Sequence, residues 1–497
     1  MKLHAHEAAA RALRNDTLGS LPEAVEVPRY DRSALTPGIV HIGVGNFHRA
    51  HQAWYLHKLM QQGLAQDWAI IGAGVRPGDA MMREKLLAQD CLTTLIELDP
   101  DGTSVEVIGS MIGFVEVHPH NQPLIAALTD PRIRIVSLTV TEGGYYQTAT
   151  GALDTDHPDI QHDIVHPDRP VTAFGAMIAA YAARRAAGHP AFTGQCCDNL
   201  QENGAVLRRT ILSLAERIDP DLAAWIEQNA SFPNAMVDCI VPATGPAELS
   251  FVQQLGIADA APVTHENYRK WVIEDAFCAG RPPWEDAGVV ITDDVHTHES
   301  MKIRVLNAGH QVLANAGEIL GLETIADCMA DPQISAFFNK VETDGILPHV
   351  DPVPGVTTQD YLALIEKRFA NPLIRDTTRR VAFDGSSRHP GFLLPILREA
   401  IAAGQSIDGL ALVEALWARM CAGTRETGDV IAPNDPMWTE LQTVAHAART
   451  DPQAWLLQGH IYGDLGQDDR FAASFARWLD MLWAKGVRAT LATYLSG

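Results

Sequence analysis

Residues 41–52 read HIGVGNFHRAHQ, and what the chain does at the two glycines decides the fold. The stretch GIVHIGVG (38–45) is apolar and β-branched, the pattern of a buried strand, while HQAWYLHKLMQQG (51–63) has helical spacing. Gly43 and Gly45 therefore sit where a strand gives way to a helix. Glycine there permits a tight turn and lets the backbone approach a pyrophosphate, which meets the orphan N–H groups of a helix N-terminus. The usual third glycine is absent, since the run is G-x-G-x-F-H, and a plain turn is the competing reading. Its place after the first strand of an alternating chain favours the cofactor reading. Gly43, Gly45, Asn46 and Phe47 are the expected cofactor-binding stretch.

Outward from this turn, WAIIGAGV (68–75), SVEVIGSM (104–111) and IRIVSLTVT (133–141) read as further strands, and GDAMMREKLLAQD (78–90) as a helix. Near-continuous apolar strands joined by helices imply a mostly parallel sheet covered on both faces. A dinucleotide site also wants an acid near the end of its second strand. GAGVRPGD (72–79) offers Asp79, which favours NAD by repelling a 2′-phosphate, although Arg76 beside it can accept one. The plainer reading of Asp79 is an acid in the first turn of a helix.

Beyond about residue 297 long helical patterns take over, as in IDGLALVEALWARMCAG and RFAASFARWLDMLWAKGVRATLATYL, with proline-bearing loops such as LPHVDPVPGVTT (347–358). The expected fold class is α/β: a Rossmann-type dinucleotide-binding domain over residues 1–296, then a mainly α-helical substrate and catalytic domain over 297–497.

The 497 residues carry a formal net charge of −23, a surface that repels phosphate backbones and anionic membranes. The seven cysteines include no C-x-x-C pair, which argues against a disulfide framework or a cysteine-rich zinc site and fits a reducing cytoplasm. MKLHAHEAAARALRND at the start lacks a signal-peptide apolar run, and nothing approaches a membrane span. A soluble cytoplasmic protein is expected, monomer or small homo-oligomer, with a small-molecule substrate and neither nucleic acid nor membrane as partner.

A second stretch, ESMKIRVLNAGHQ (299–311), carries the chemistry. On an α-helix Lys302, Asn307 and His310 fall within a sector of about 140°. Ile303, Val305, Leu306, Val312 and Leu313 are apolar enough to bury most of the rest. The bland reading is a snorkelling lysine and a satisfied core histidine. The sharper one is alcohol oxidation. Hydride leaves carbon only as the hydroxyl loses its proton, so a base must be in reach and donors must stabilise the developing alkoxide. A lysine serves if desolvation and a positive nicotinamide lower its pKa from about 10.4.

Just before it, DDVHTHE (293–299) packs two histidines among acids, but without a cysteine pair or H-E-x-x-H it reads as a solvated loop, and no metal is expected.

The ordered motifs GVGNFHRAHQ, SLTVTEGGYY, CDNLQENG, SFPNAMVDCIVP, WVIEDAFCAGRPPWE, KIRVLNAGH and DGSSRHP, spread over the whole chain, resemble the mannitol dehydrogenase family of polyol-specific long-chain dehydrogenases. The resemblance implies metal-free, NAD-dependent oxidation of a polyol to a ketose, mannitol to fructose first. D-arabinitol, sorbitol or fructuronate chemistry of the same family is the alternative. It implies Lys302 as general base, Asn199 and Asn307 as oxyanion donors, His310 orienting substrate hydroxyls and Glu299 gating proton release. Asp238, Arg380 and Arg388 would contact substrate, and Asp79 would select NAD. Three positions depart from the family pattern: Cys239 replaces an arginine after V-D, NAGH replaces N-G-S-H, and Arg388 replaces a lysine.

Overall fold

The computed structural model describes residues 10–148 and 151–497; the first nine residues of the stretch read for a leader lie outside the described residues. The chain divides into two compact units, Met1–His296 and Thr297–Gly497.

The first unit is built on strands β1 (Pro37–Ile42), β2 (Ala69–Ala73), β3 (Thr93–Asp99), β4 (Gly102–Ile108), β5 (Met111–Phe114), β6 (Ile135–Leu138), β7 (Thr193–Cys196) and β8 (Ala235–Asp238). Five of them form an all-parallel sheet in the order β5-β2-β1-β6-β7. The strands are largely apolar because each face has its own core. Ile39 and Ile135 pack with Leu56 and Leu59 of the Gln52–Gln61 helix. Val40 and Val136, on the other face, pack with Phe174 and Met177 of Ala173–Ala187 and with Leu207 of Asn203–Ile218. The chain runs outward from β1 through β2 to β5, then crosses to β6 on the opposite side. The strand order reverses between β1 and β6, and crevices for ligands open at the carboxyl ends of strands beside such a reversal.

One strand departs from the parallel-sheet expectation. SVEVI lies in β4, which pairs antiparallel with β3 in a second sheet flanked by Val263–Glu266 and Val25–Glu26. The register pairs Asp99 with Gly102 and so leaves Pro100 and Asp101 as a two-residue hairpin turn. The DPDG signal at 99–102 outweighs the parallel pattern locally. Only Met111 of that stretch reaches the parallel sheet.

The second unit is helical, with isolated bridges as its only β pairing among the described residues. Its centre is the Asp408–Cys421 helix, where every residue from Gly409 to Cys421 is buried. That burial explains why the helix is apolar nearly all round. The one acid inside it, Glu414, accepts hydrogen bonds from His389 Nδ1 and the Tyr462 hydroxyl, each 2.8 Å away. Among the described residues no helix is long and apolar enough to cross a membrane.

Candidate active site

The two glycines after β1 do different things. Gly43 has φ +94°, and a Cβ on it would lie 2.1 Å from the Thr139 carbonyl oxygen, so only glycine fits. Its N–H donates to Ala73 O (3.0 Å), and the Thr139 hydroxyl donates to its carbonyl (2.6 Å). The turn is thereby fastened to the ends of both β2 and β6, at the strand reversal. Gly45 is extended, and the nearest atom to a Cβ built there is 3.9 Å away. That open side is what close approach of a pyrophosphate needs, so the turn fits the cofactor reading of the fingerprint.

The Asn46 side chain is committed elsewhere: its Nδ2 donates to Pro242 O and Thr244 Oγ1, and its Oδ1 accepts from Arg49. Phe47 stacks on His51 with ring centroids 4.8 Å apart. Asp79 begins the Asp79–Leu87 helix, yet its carboxylate folds back beyond β2, where Oδ2 accepts the Arg76 N–H at 2.9 Å. A Cβ on Gly74 would meet that carboxylate at 2.5 Å. Asp79 is thus a first-turn acid whose carboxylate lies near the end of the second strand.

Asn199 follows β7 and is exposed. The neighbouring Asp198 is buried and accepts the Val140 and Thr141 N–H groups at 3.0 and 2.9 Å and the Tyr145 hydroxyl at 2.7 Å. Charge-assisted bonds of this kind contribute about 1.5–3 kcal/mol each, enough to fix the loop that carries Asn199. Asn203 extends the fastening to β8, donating to Ala235 O at 2.7 Å and accepting from Ala235 N at 2.8 Å. Asp238 ends β8, 5% exposed and in register with Lys270 on the antiparallel neighbour. Burial pulls the Lys270 amine down and Asp238 opposes the shift. Cys239, at the departure from the family pattern, is only half-buried.

In the second unit the helix geometry differs from a plain α-helix. Lys302–Asn307 is a π segment, closed by the Ala308 N–H bonding to Ile303 O, between Val295–Met301 and Ala308–Leu320. The wider i→i+5 turn brings residues five apart closer to one side than the α-helical sector allows. Lys302 and Asn307 share a side, and His310 follows Asn307 at i+3 in restored α geometry. Lys302, Asn307 and Glu299 are 7%, 9% and 7% exposed. The segment's far side is anchored by Arg304, which donates to both Glu399 carboxylate oxygens at 2.6 Å. In NAGH the glycine is closely packed: a Cβ on Gly309 would lie 2.6 Å from Glu342 Oε1 and 3.0 Å from Phe338.

The His310 ring stacks on Phe369 at 4.2 Å, and its Nε2 lies 3.6 Å from Asp376 Oδ2. Burial, then Arg380, Arg368 and Arg388, holds this imidazole well below its ordinary pKa, so it is neutral near pH 7. Arg380 Nε donates to Asp376 Oδ1 at 2.7 Å, and Arg388 Nη1 donates to Val381 O at 2.6 Å. The second unit therefore gathers His310, Arg380 and Arg388 around Asp376, a residue the sequence reading passed over. Asp376 stands four residues before Arg380, and that i,i+4 spacing was the signal available.

His296 and His298 lie on the Val295–Met301 helix, where positions two apart face different ways, instead of in a loop. Among the described residues no group of three or more His, Cys, Asp or Glu is placed to hold a metal ion.

Comparison with known proteins agrees with this architecture. Residues 37–286 match the mannitol dehydrogenase Rossmann domain, and residues 294–483 match the mannitol dehydrogenase C-terminal domain. The chain is 54% identical to a mannitol 2-dehydrogenase of Cereibacter sphaeroides, over 96% of this chain and 100% of the relative. It is 39% identical to one from Phaeosphaeria nodorum, over 98% of this chain and 86% of that one. The solved ternary complex of Pseudomonas fluorescens mannitol 2-dehydrogenase with NAD and D-mannitol superposes with TM-score 0.89 at 41% identity, covering 98% of this chain and 100% of that one. A D-sorbitol dehydrogenase in substrate-free form gives TM-score 0.87 at 34% identity, covering 97% and 100%. The chain belongs to the mannitol dehydrogenase family.

Proposed function

We propose that the chain is an NAD-dependent polyol dehydrogenase that oxidises a secondary alcohol to a ketose, with mannitol to fructose as the principal reaction. The observation that carries this reading is the π segment, which sets a buried lysine and a buried asparagine on one side of a helix. Bound NAD supplies the hydride acceptor. Lys302 takes the hydroxyl proton as the C–H bond breaks, in place of a metal ion. Asn307 and Asn199 donate amide N–H groups to the developing alkoxide, each worth about two to three orders of magnitude in rate. Glu299 receives the proton from Lys302 and passes it to solvent.

His310, being neutral, has one ring nitrogen to donate to a substrate hydroxyl and one to accept from another. Asp238, Arg380 and Arg388 hold the remaining hydroxyls. Gly43 and Gly45 carry the pyrophosphate, with Asn46 contributing backbone, Phe47 the adjoining wall, and Asp79 the ribose contact that favours NAD over NADP. Reducing conditions suit the free cysteines, in keeping with a cytoplasmic setting, and the net charge of −23 disfavours nucleic acid and anionic membranes as partners. Monomer or small homo-oligomer is the state proposed.

A second reading, fructuronate reduction, is favoured by the three guanidinium groups that act on His310, since a sugar acid brings a carboxylate. Against it, Arg380 is already paired with Asp376. A panel of mannitol, arabinitol, sorbitol and fructuronate, run with both NAD and NADP forms, separates these readings. Highest kcat/KM for mannitol with NAD is expected. Fructuronate turnover above that of every polyol would give the second reading, and NADH binding with no turnover across the panel would remove enzymatic function.

A further inference from the structure

A row of polar side chains crosses the parallel sheet beneath the cofactor turn. His41, Ser137 and Gln195 are in register on β1, β6 and β7, on the face covered by the helix that begins at Gln52. These three and Gln52 are essentially inaccessible. His41 Nδ1 lies 2.8 Å from Ser137 Oγ, and Nε2 lies 2.8 Å from Thr139 Oγ1. The Thr139 hydroxyl reaches Gly43 O at 2.6 Å, and Ser137 Oγ lies 2.8 Å from Gln52 Oε1.

The protons settle the direction of this row. Gly43 O only accepts, so the Thr139 proton goes to it. Thr139 Oγ1 must then accept from His41 Nε2–H. Burial keeps His41 neutral, its pKa pulled down to about 3, so Nδ1 offers a lone pair and takes the Ser137 proton. Ser137 has no proton left for Gln52 Oε1. The Gln52 amide nitrogen on that side would complete every bond, and amide orientation is open to this exchange. Gln52 oxygen would then face Gln195, 3.5 Å away, whose Nε2 otherwise has no partner. Turning both amides gives that buried nitrogen an acceptor.

We propose that Gln195, Gln52, Ser137, His41 and Thr139 form a one-way relay of donors ending on the Gly43 carbonyl, and that Thr139 and His41 are positioning residues for the cofactor turn. Bonds aligned in one direction polarise and reinforce one another. The relay locks Gly43 in the left-handed conformation that leaves Gly45 open for the pyrophosphate. It rests on the reading of this turn as the NAD site.

Two measurements test it. In the native protein, 15N-imidazole NMR or neutron diffraction should find His41 neutral with its proton on Nε2; a proton on Nδ1, or on both nitrogens, overturns the relay. In variants, Thr139→Val should weaken NADH binding about tenfold, as the loss of one buried hydrogen bond does. Thr139→Ser should stay within about twofold of wild type in the same titration, because it keeps the hydroxyl. The polyol KM at saturating NAD should not move in either. Wild-type NADH affinity in Thr139→Val, beside a weakened Gly43→Ala, overturns the relay alone. Wild-type affinity in Gly43→Ala overturns the cofactor reading beneath it.

Discussion

Asp376 holds Arg380 through one carboxylate oxygen and faces His310 with the other. Arg380 Nε donates to Oδ1 at 2.7 Å and Nη2 lies 2.6 Å from the same oxygen, while Oδ2 is 3.6 Å from His310 Nε2. Asp376 is 5% exposed, and the two residues it steers are both proposed substrate contacts. Burial raises the pKa of this carboxyl, and Arg380 and Arg388, which favour its charged form, offset only part of the rise. The substitution Asp376→Asn keeps the shape and removes that charge. The expected result is a polyol KM raised about tenfold, with NADH affinity unchanged, since a difference of that size corresponds to the weakening of one charged contact. Steady-state kinetics with an NADH titration checks it; an unaltered KM would show that Asp376 does not steer the substrate contacts.

The oxyanion role of Asn307 makes a separate prediction. Asn307→Ala should lower kcat about 10²–10³-fold. Cofactor affinity should hold, because the loss is confined to the developing alkoxide. A kcat within a few-fold of wild type would remove the amide from the proposed chemistry.

Glu342 gives a pH-dependent prediction. It is fully buried, neither carboxylate oxygen has a hydrogen-bond partner, and burial followed by Glu366 raises its pKa well above 4.5. The native state therefore keeps a proton that the unfolded chain releases above its ordinary carboxyl range. Between those two values the unfolded state binds fewer protons, so Glu342 lowers stability as pH rises. Glu342→Gln removes this titration. The difference in Tm, variant minus wild type, should become more positive from pH 5 to pH 8. A difference that is flat or falls with pH contradicts the assignment.

Gly309 supplies a packing test in the same place. Gly309→Ala puts a methyl within reach of Glu342 and Phe338, and overpacking of this kind costs about 1–3 kcal/mol. Denaturant unfolding should show a loss in that range, together with reduced turnover because Asn307 and His310 flank the strained point. Unchanged stability would mean that the second π segment, Glu342–Ile346, yields easily.

A metal-free mechanism predicts that prolonged chelation leaves mannitol oxidation intact. Activity that disappears under a chelator and returns with zinc would contradict the lysine base.

Much of this was legible before any coordinates. The glycine turn, the parallel strands and the change to helices near residue 297 are local patterns with strong periodicity. The hairpin at 99–102 was missed because the apolar content of SVEVI matches either sheet, and the DPDG turn alone distinguishes them. The π segment was not legible, because the same residues fit an α-helix. The contacts around it are tertiary: Arg304 donates to Glu399, and Gly309 lies against Phe338 and Glu342. Asp198 and Thr139 escaped notice for a related reason. Each acts by positioning another residue, and sequence spacing does not display a partner that lies far along the chain.

The central claim is that one buried amine removes the substrate's proton. Lys302→Ala, assayed for mannitol oxidation at pH 7 alongside an NADH titration, tests it most directly. The account predicts near-normal NADH affinity with oxidation largely abolished. A wild-type turnover number in that variant would contradict it.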